Sequence, residues 1–234
     1  MANNDFEAES PVNYEQKCLC VLVLDVSGSM SNPTSGREPI DELNQGLQAF
    51  YNEIKADATT ANRLEVAIIT FHSEVKCELE PALVENFTMP RLTTKGSTKL
   101  VDGVKEAIAK VEARKQWYKN SGQPYYRPWI IVITDGEPDS DQDVNGLAEE
   151  IRLATSDDQI QGKKFAFLAV GVQGANMNTL EKISDPKMPP QRLEGLKFSA
   201  FFKWLSASMT TVTSSKPGQL VNLPQPGWTQ GFKT

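Results

Sequence analysis

The longest apolar runs in the chain are two segments of β-strand length. One is Leu19-Cys20-Val21-Leu22-Val23-Leu24, which ends at Asp25, and the other is Trp129-Ile130-Ile131-Val132-Ile133, which ends at Thr134. A run without polar alternation is typical of a strand that is covered on both faces, as in a parallel sheet. The pattern therefore predicts buried strands over residues 17–25 and 129–134.

Shorter apolar patterns alternate between strand and helix along the rest of the chain. Three more strands are predicted, over residues 63–71, 74–79 and 164–170. Only His72 and Ser73 separate the first two of these strands, which predicts an antiparallel hairpin at an edge of the sheet. Apolar residues at helical spacing predict helices at 40–54, after Gly96, at 143–154, at 178–184 and at 198–209.

This alternation predicts an α/β fold: a doubly wound, mostly parallel sheet with one antiparallel edge strand and helices on both faces. The 234 residues suit one large domain, which is predicted over 17–211. Polar residues without periodicity predict a flexible leader over 1–16. A change to Pro, Gly, Ser and Thr predicts an irregular C-terminal tail over 212–234, in which Trp228 and Phe232 are placed to dock on the domain or on a partner.

The charge balance and the length of the apolar runs exclude several classes of function. The chain has 24 Lys and Arg against 30 Asp and Glu, a net charge of −6, whereas nucleic-acid binders normally carry a basic stripe. No run approaches the roughly 20 apolar residues of a membrane-spanning helix, and the N-terminus lacks the pattern of a secretory signal. We therefore expect a cytoplasmic protein that binds neither nucleic acid nor membrane.

The three cysteines form neither a disulfide framework nor a zinc motif. Their odd number leaves one unpaired, and none belongs to a Cys-x-x-Cys pair. Cys18 and Cys20 are two residues apart in a predicted strand and therefore share one face of the sheet. We expect ordinary reduced thiols in the core or at an edge.

Polar side chains follow the two most apolar strands and precede one helix. Asp25, Ser27 and Ser29 come directly after the first strand, Asp135 follows Thr134, and Thr98 lies at the predicted start of the helix after Gly96. In a doubly wound sheet the carboxyl ends of the strands meet at one edge, so we expect these side chains to converge.

Two carboxylates and three hydroxyls are hard oxygen ligands of the kind that Mg²⁺ prefers. The sequence therefore predicts a magnesium site at this edge, with Mn²⁺ or Ca²⁺ as alternatives. Serine and threonine ligands bring no charge, so the ion stays positive enough to bind an Asp or Glu side chain of a protein partner. The acidic loop 137–143 flanks this edge, where a solvated loop is favoured over a second cation site.

The same segments resemble the metal-ion-dependent adhesion site (MIDAS) of von Willebrand factor type A (vWA) domains. The resemblance rests on Leu24-Asp25-Val26-Ser27-Gly28-Ser29-Met30, Gly96-Ser97-Thr98 and Ile133-Thr134-Asp135-Gly136. Two further segments resemble the TerY/YegL-like branch of bacterial tellurium-resistance proteins. They are Tyr126-Arg127-Pro128-Trp129, leading into Thr134 to Pro138, and Phe201-Phe202-Lys203-Trp204-Leu205-Ser206-Ala207-Ser208.

The resemblance implies a Rossmann-like vWA fold over 17–211 and a role for each matched residue. By position, the first metal loop would supply Asp25, Ser27 and Ser29, the second Thr98 and the third Asp135. Ser97 departs from the pattern, because the family usually has a second glycine there. Proteins of this family are non-catalytic binding modules, and the TerY-like ones are often encoded beside a PP2C-type phosphatase and a protein kinase. The resemblance thus implies a partner in tellurium resistance, stress response or phosphorylation signalling.

Enzymatic alternatives lack residues that their mechanisms need. A haloacid-dehalogenase-type phosphatase needs a second Asp where Ser27 stands, and a Ser-His-Asp hydrolase would have to use His72, the only histidine, without a Gly-x-Ser-x-Gly motif. Metal-assisted hydrolysis stays open as an enzymatic alternative. A further alternative is a purely structural metal, with partner binding through the C-terminal tail and the aromatic loop around Gly122 and Pro124.

Overall fold

The computed structural model describes residues 11, 13–33, 36–135, 137–158, 160, 162–216 and 219–228. Most of the predicted leader, Gly136 and Phe232 lie outside the described residues.

The described residues form a six-stranded sheet in the order β3-β2-β1-β4-β5-β6. Its strands are β1 (Cys18–Asp25), β2 (Leu64–Phe71), β3 (Val75–Leu83), β4 (Trp129–Thr134), β5 (Ala166–Gly171) and β6 (Gln191–Arg192). The pair β2–β3 is antiparallel, and the other four pairs are parallel. The predicted fold class, with its antiparallel edge strand after His72 and Ser73, is confirmed.

Helices cover both faces of this sheet. They are α1 (Pro39–Ala56), α2 (Ala58–Arg63), α3 (Leu100–Ser121), α4 (Val144–Thr155), α5 (Met177–Lys182) and α6 (Phe198–Thr213), with short 3₁₀ turns at Gly28–Ser31 and Val84–Asn86. Among the described residues, no helix combines the length and the apolar composition that crossing a membrane requires.

Several boundaries differ from the prediction. Helix α3 begins at Leu100 instead of directly after Gly96, because the backbone N–H groups of Ser97, Thr98 and Lys99 bind Ser73, Asp139 and His72 of other segments. Strand β3 continues to Leu83, past the predicted end at 79, across an irregular register with β2. Helix α2 and strand β6 were not predicted, because α2 has no large apolar side chain to mark a buried face and a strand of two residues shows no alternation.

Strand β1 is apolar throughout because its side chains enter two separate cores. On one face, Cys18, Cys20, Leu22 and Leu24 pack in the core that includes α1 and α6. On the other face, Leu19, Val21 and Val23 pack in the core that includes α3 and α4. The two cysteines share one face, as the spacing predicts, and both are free and buried.

The strand order sets where loops can meet. Strand β1 has β2 on one side and β4 on the other, so the strand order reverses between β1 and β4, although the two strands run parallel. In such sheets a crevice opens outside the carboxyl ends of these two strands, and ligands bind there. Asp25 and Asp135 stand at those two ends.

Several aromatic side chains of the segments proposed for the alternative partner site are packed against the domain. Tyr118 and Trp117 are buried, and Tyr118 stacks on Tyr125 with ring centroids 5.0 Å apart. In the C-terminal segment, Trp228 is buried against Phe201 and Trp204. These aromatic side chains therefore contribute to packing.

Helices α1 and α6 approach closely at Gly46. A Cβ atom built at Gly46 would lie 2.5 Å from Phe202 Cδ2 and 3.3 Å from the Phe198 carbonyl carbon. Phe202 also contacts Phe50 of α1, with ring centroids 5.9 Å apart. The absence of a side chain at Gly46 is therefore what lets the two helices pack at this distance.

Replacing Gly46 by valine should destabilise the domain by about 2 kcal/mol, because three added carbon atoms overpack this contact. For a domain of this size that corresponds to a melting temperature lower by roughly 4–8 °C, which differential scanning calorimetry measures. Gln48→Val is the matched control, since it places the same side chain at an exposed position of α1. Equal melting temperatures for the two variants would contradict the close packing described for Gly46.

Candidate metal centre

Asp25 links the ends of β1 and β4 through its buried carboxylate. Its Oδ1 accepts a hydrogen bond from the backbone N–H of Ser27 at 2.8 Å, and its Oδ2 accepts one from the Thr134 hydroxyl. Asp25 has no exposed surface. Donors from the loop that follows β1 and from the neighbouring strand β4 thus hold the carboxylate in place.

A chain of oxygens leads from this loop to the end of β4. The hydroxyls of Ser27 and Ser29 lie 2.9 Å apart, and Ser29 Oγ donates to Asp135 Oδ1 at 2.7 Å. Ser27 and Asp135 are buried, with 2% and 9% of their surface exposed. Four of the five predicted ligands, Asp25 included, therefore form one connected group.

Thr98 reaches the same edge through backbone contacts of its loop. The Lys95 N–H donates to the Val26 carbonyl at 2.8 Å, and the Gly28 N–H donates to the Gly96 carbonyl at 3.0 Å. Thr98 itself is buried, with 8% of its surface exposed. The structure therefore places the Thr98 loop directly against the loop that carries Ser27 and Ser29.

Gly96 is required in this loop for two reasons. Its φ of +72° is a conformation that L side chains rarely adopt, and a Cβ atom there would lie 2.0 Å from Ser73 Oγ. The sequence pattern identified this glycine, although not the β2–β3 turn against which it packs.

The site concentrates negative charge in a buried environment. Burial raises the pKa of Asp25 to about 6, against the opposing effect of hydrogen bonds from Ser27 and Thr134, and the nearby Asp135 raises it further. Burial also raises the pKa of Asp135, opposed by the Ser29 hydrogen bond. Within the described residues, no salt bridge reaches either carboxylate. Such a pair favours a bound cation, which offsets the cost of burying charge.

The spacing of these oxygens suits a divalent ion. Ligands about 2.0–2.1 Å from Mg²⁺ at right angles lie about 3 Å from each other. The separations of 2.9 Å between Ser27 and Ser29 and 2.7 Å between Ser29 and Asp135 are close to that value. No group of three or more His, Cys, Asp or Glu side chains within the described part of the chain is placed to hold a metal ion. A site here would depend on its hydroxyls.

The acidic loop 137–143 forms several hydrogen bonds with its surroundings, although most of its residues are exposed. Asp139 accepts hydrogen bonds from Ser97 and Thr98, Asp141 forms a salt bridge with Lys99, and the Asp143 side chain accepts from the Gly146 N–H at the start of α4. The loop therefore packs on the Thr98 segment. The sequence carried no sign of this, because an acidic loop rich in Gly, Pro and Ser has the same composition whether or not it docks.

A family model named "von Willebrand factor type A domain" matches residues 20–193, well over half of the chain. This chain belongs to the vWA family. The search of curated proteins returned no match.

Solved structures with the same fold include three bacterial proteins. The pilus adhesin SpaC from Lactobacillus rhamnosus GG has a TM-score of 0.63 at 16% identity, and the match covers 87% of this chain and 32% of the SpaC chain. The PilB minor pilin from Streptococcus sanguinis has a TM-score of 0.59 at 14% identity, and the match covers 87% of this chain and 63% of the PilB chain. A von Willebrand factor type A protein from Catenulispora acidiphila has a TM-score of 0.57 at 14% identity, and the match covers 84% of this chain and 43% of the Catenulispora chain.

The vWA domain described here spans less than two thirds of the length of each of these three chains. At these identities the likeness shows the fold alone. The site residues and their role must therefore be argued from the geometry of this chain.

Mg²⁺ affinity should decrease as the pH falls through about 6. A proton on Asp25 competes with the cation, and the raised pKa of about 6 places this competition well above the range of ordinary carboxyls. Because one proton competes with the ion at Asp25, the affinity should drop about tenfold between about pH 7.5 and pH 5. Isothermal titration calorimetry measures this change. An affinity that stays constant down to pH 5 would contradict a metal ligand at Asp25 with a raised pKa.

Proposed function

We propose that this vWA domain is a non-catalytic protein-binding module that holds a divalent cation, with Mg²⁺ favoured over Mn²⁺ or Ca²⁺. The residues that would hold it are Asp25, Ser27, Ser29, Thr98 and Asp135. One observation carries the proposal: the oxygens of Ser27, Ser29 and Asp135 follow each other at 2.7–2.9 Å beside the buried Asp25. When bound, the ion would supply a positive centre that attracts an anionic group.

The charge of the ligand set supports the binding of an acidic partner group. Three of the five side chains are hydroxyls, which bring no charge, so a divalent ion here would keep more of its field than in a site built from carboxylates alone. Five protein oxygens also leave at least one position of an octahedron open. An Asp or Glu side chain of a protein partner fits that position in charge and in donor type.

The alternative partner site has less support. Trp117, Tyr118 and Trp228 are each more than nine-tenths buried and engaged with neighbouring rings. Partner binding through these rings would require unpacking them from the domain. We therefore place the binding surface at the metal-bearing edge of the sheet.

The proposed biological setting rests on the resemblance to TerY/YegL-like proteins. It suggests a protein partner in a bacterial tellurium-resistance, stress-response or phosphorylation-signalling system, with a PP2C-type phosphatase or a protein kinase as candidates. The segments that support it are the Tyr126-Arg127-Pro128-Trp129 motif and the Phe201–Ser208 segment of α6.

The substitution Asp25→Ala should abolish Mg²⁺ binding, because it removes the carboxylate at the centre of the site. Titration calorimetry with Mg²⁺ would report the loss, and capture of a purified PP2C-type phosphatase or kinase from the same host, with and without EDTA, would report its consequence. We expect partner capture by the wild type to be lost in EDTA and restored by Mg²⁺. For the variant we expect no capture in either condition.

Asp102→Ala provides the matched control for this experiment. Asp102 is an exposed aspartate in the first turn of α3, and its carboxylate accepts a hydrogen bond from Gln142 at 3.0 Å. Its loss should leave both Mg²⁺ binding and partner capture within about twofold of the wild type. If Asp25→Ala lowered only the melting temperature and left partner capture intact, the ion would be structural and the alternative function would hold.

A further inference from the structure

Thr98 lies near the end of a long segment without regular structure, two residues before α3, whereas Ser27 directly precedes the 3₁₀ turn Gly28–Ser31. Asp25 ends β1, Ser29 lies in the 3₁₀ turn Gly28–Ser31, and Asp135 directly follows β4. The described chain between Asn86 and Leu100 belongs to no helix or strand. The direction of the Thr98 side chain must therefore be set by contacts from other segments.

Asp139 binds the backbone of Thr98 on both sides. Its Oδ1 accepts a hydrogen bond from the Thr98 N–H at 3.1 Å, and its own N–H donates to the Thr98 carbonyl at 3.0 Å. These bonds fix the peptide groups before and after Thr98. Since those two groups determine φ and ψ, they also determine where the Cα–Cβ bond of Thr98 points.

The second carboxylate oxygen of Asp139 binds the residue before Thr98. Ser97 Oγ donates to Asp139 Oδ2 at 2.7 Å, and the Ser97 N–H donates to Ser73 Oγ at 3.0 Å. A glycine in place of Ser97 would lack the first of these bonds. Both carboxylate oxygens of Asp139 therefore accept hydrogen bonds from the Thr98 loop, which places Asp139 to orient Thr98.

We propose that Asp139 is a positioning residue of the metal centre, which orients the Thr98 hydroxyl by holding the Thr98 backbone on both sides; this inference rests on the proposed function. Asp139 lies four residues after Asp135 in the same loop. The loop that supplies one ligand therefore also fixes another. Groups that orient ligands in this way typically change metal affinity 10- to 100-fold when they are removed.

The first test compares Asp139→Ala with Asp141→Ala. Both variants remove one negative charge from the same loop, but Asp141 pairs with Lys99 and makes no contact with the Thr98 backbone in the described hydrogen bonds. Asp139→Ala should raise the dissociation constant for Mg²⁺ about 10- to 100-fold, and Asp141→Ala by less than about threefold. An equal effect of the two variants would show a charge effect alone and would overturn the inference.

A double-mutant cycle with Thr98 tests whether Asp139 acts through that residue. If it does, adding Asp139→Ala to Thr98→Ala should weaken Mg²⁺ binding by less than about twofold further. Fully additive effects of the two substitutions would overturn the inference. Asp139→Asn, which keeps one acceptor for the Thr98 N–H, should recover part of the affinity and serves in the same cycle if the alanine variant folds poorly.

Hydrogen exchange gives a readout that needs no metal. In metal-free protein the Thr98 amide should exchange faster in Asp139→Ala than in the wild type or in Asp141→Ala, because only that variant loses the acceptor. Equal exchange rates in all three proteins would overturn the inference while leaving the proposed function intact. A wild-type protein that binds no divalent cation, with the Thr98 amide still protected by Asp139, would instead overturn the proposed function and with it the role of Asp139 in metal binding.

Discussion

The burial of the Asp25 carboxylate at the point where the strand order reverses is the constraint on which the site depends. An ionised group in this environment needs either hydrogen-bond donors or a counter-charge, since its desolvation is otherwise costly. Donors come from both sides, as the Ser27 N–H and the Thr134 hydroxyl bind its two oxygens. They do not fully offset the effect of burial, so the pKa of Asp25 remains raised to about 6.

The helices and turns around the sheet bring the remaining ligands to this carboxylate. A Cβ atom at Gly103 of α3 would lie 2.9 Å from Phe71 Cδ1, so this helix packs tightly on the end of β2. The Lys99 N–H donates to the His72 carbonyl at 2.9 Å, which fixes the start of the same helix. Thr98 immediately precedes this fixed point. The position of a ligand is therefore linked to the packing of the core beneath it.

The sequence predicted the parts of the structure that depend on local patterns. The continuous apolar run of β1 reflects two covered faces. The Asp25-Val26-Ser27-Gly28-Ser29 segment is a local motif, and it lies within the residues that the vWA family model matches. Contacts between distant residues were not predictable in this way. Asp139 accepts a hydrogen bond from Thr98, which lies 41 residues away in the sequence. The buried Arg114 binds Glu65, which lies 49 residues away. Neither pairing leaves a period or a spacing in the sequence.

The carboxylates at this edge divide into two groups with different energetic roles. In the acidic loop, Lys99 balances the charge of Asp141, and Asp139 accepts hydrogen bonds from Ser97 and Thr98. Asp25 and Asp135 instead each accept a hydrogen bond from a hydroxyl and form no salt bridge in the described structure. A cation that binds only the folded state stabilises it in proportion to the logarithm of its concentration over its dissociation constant. The part of the burial cost of Asp25 that its hydrogen bonds leave would then be offset by the ion, so this edge of the sheet should be more stable with the ion than without it.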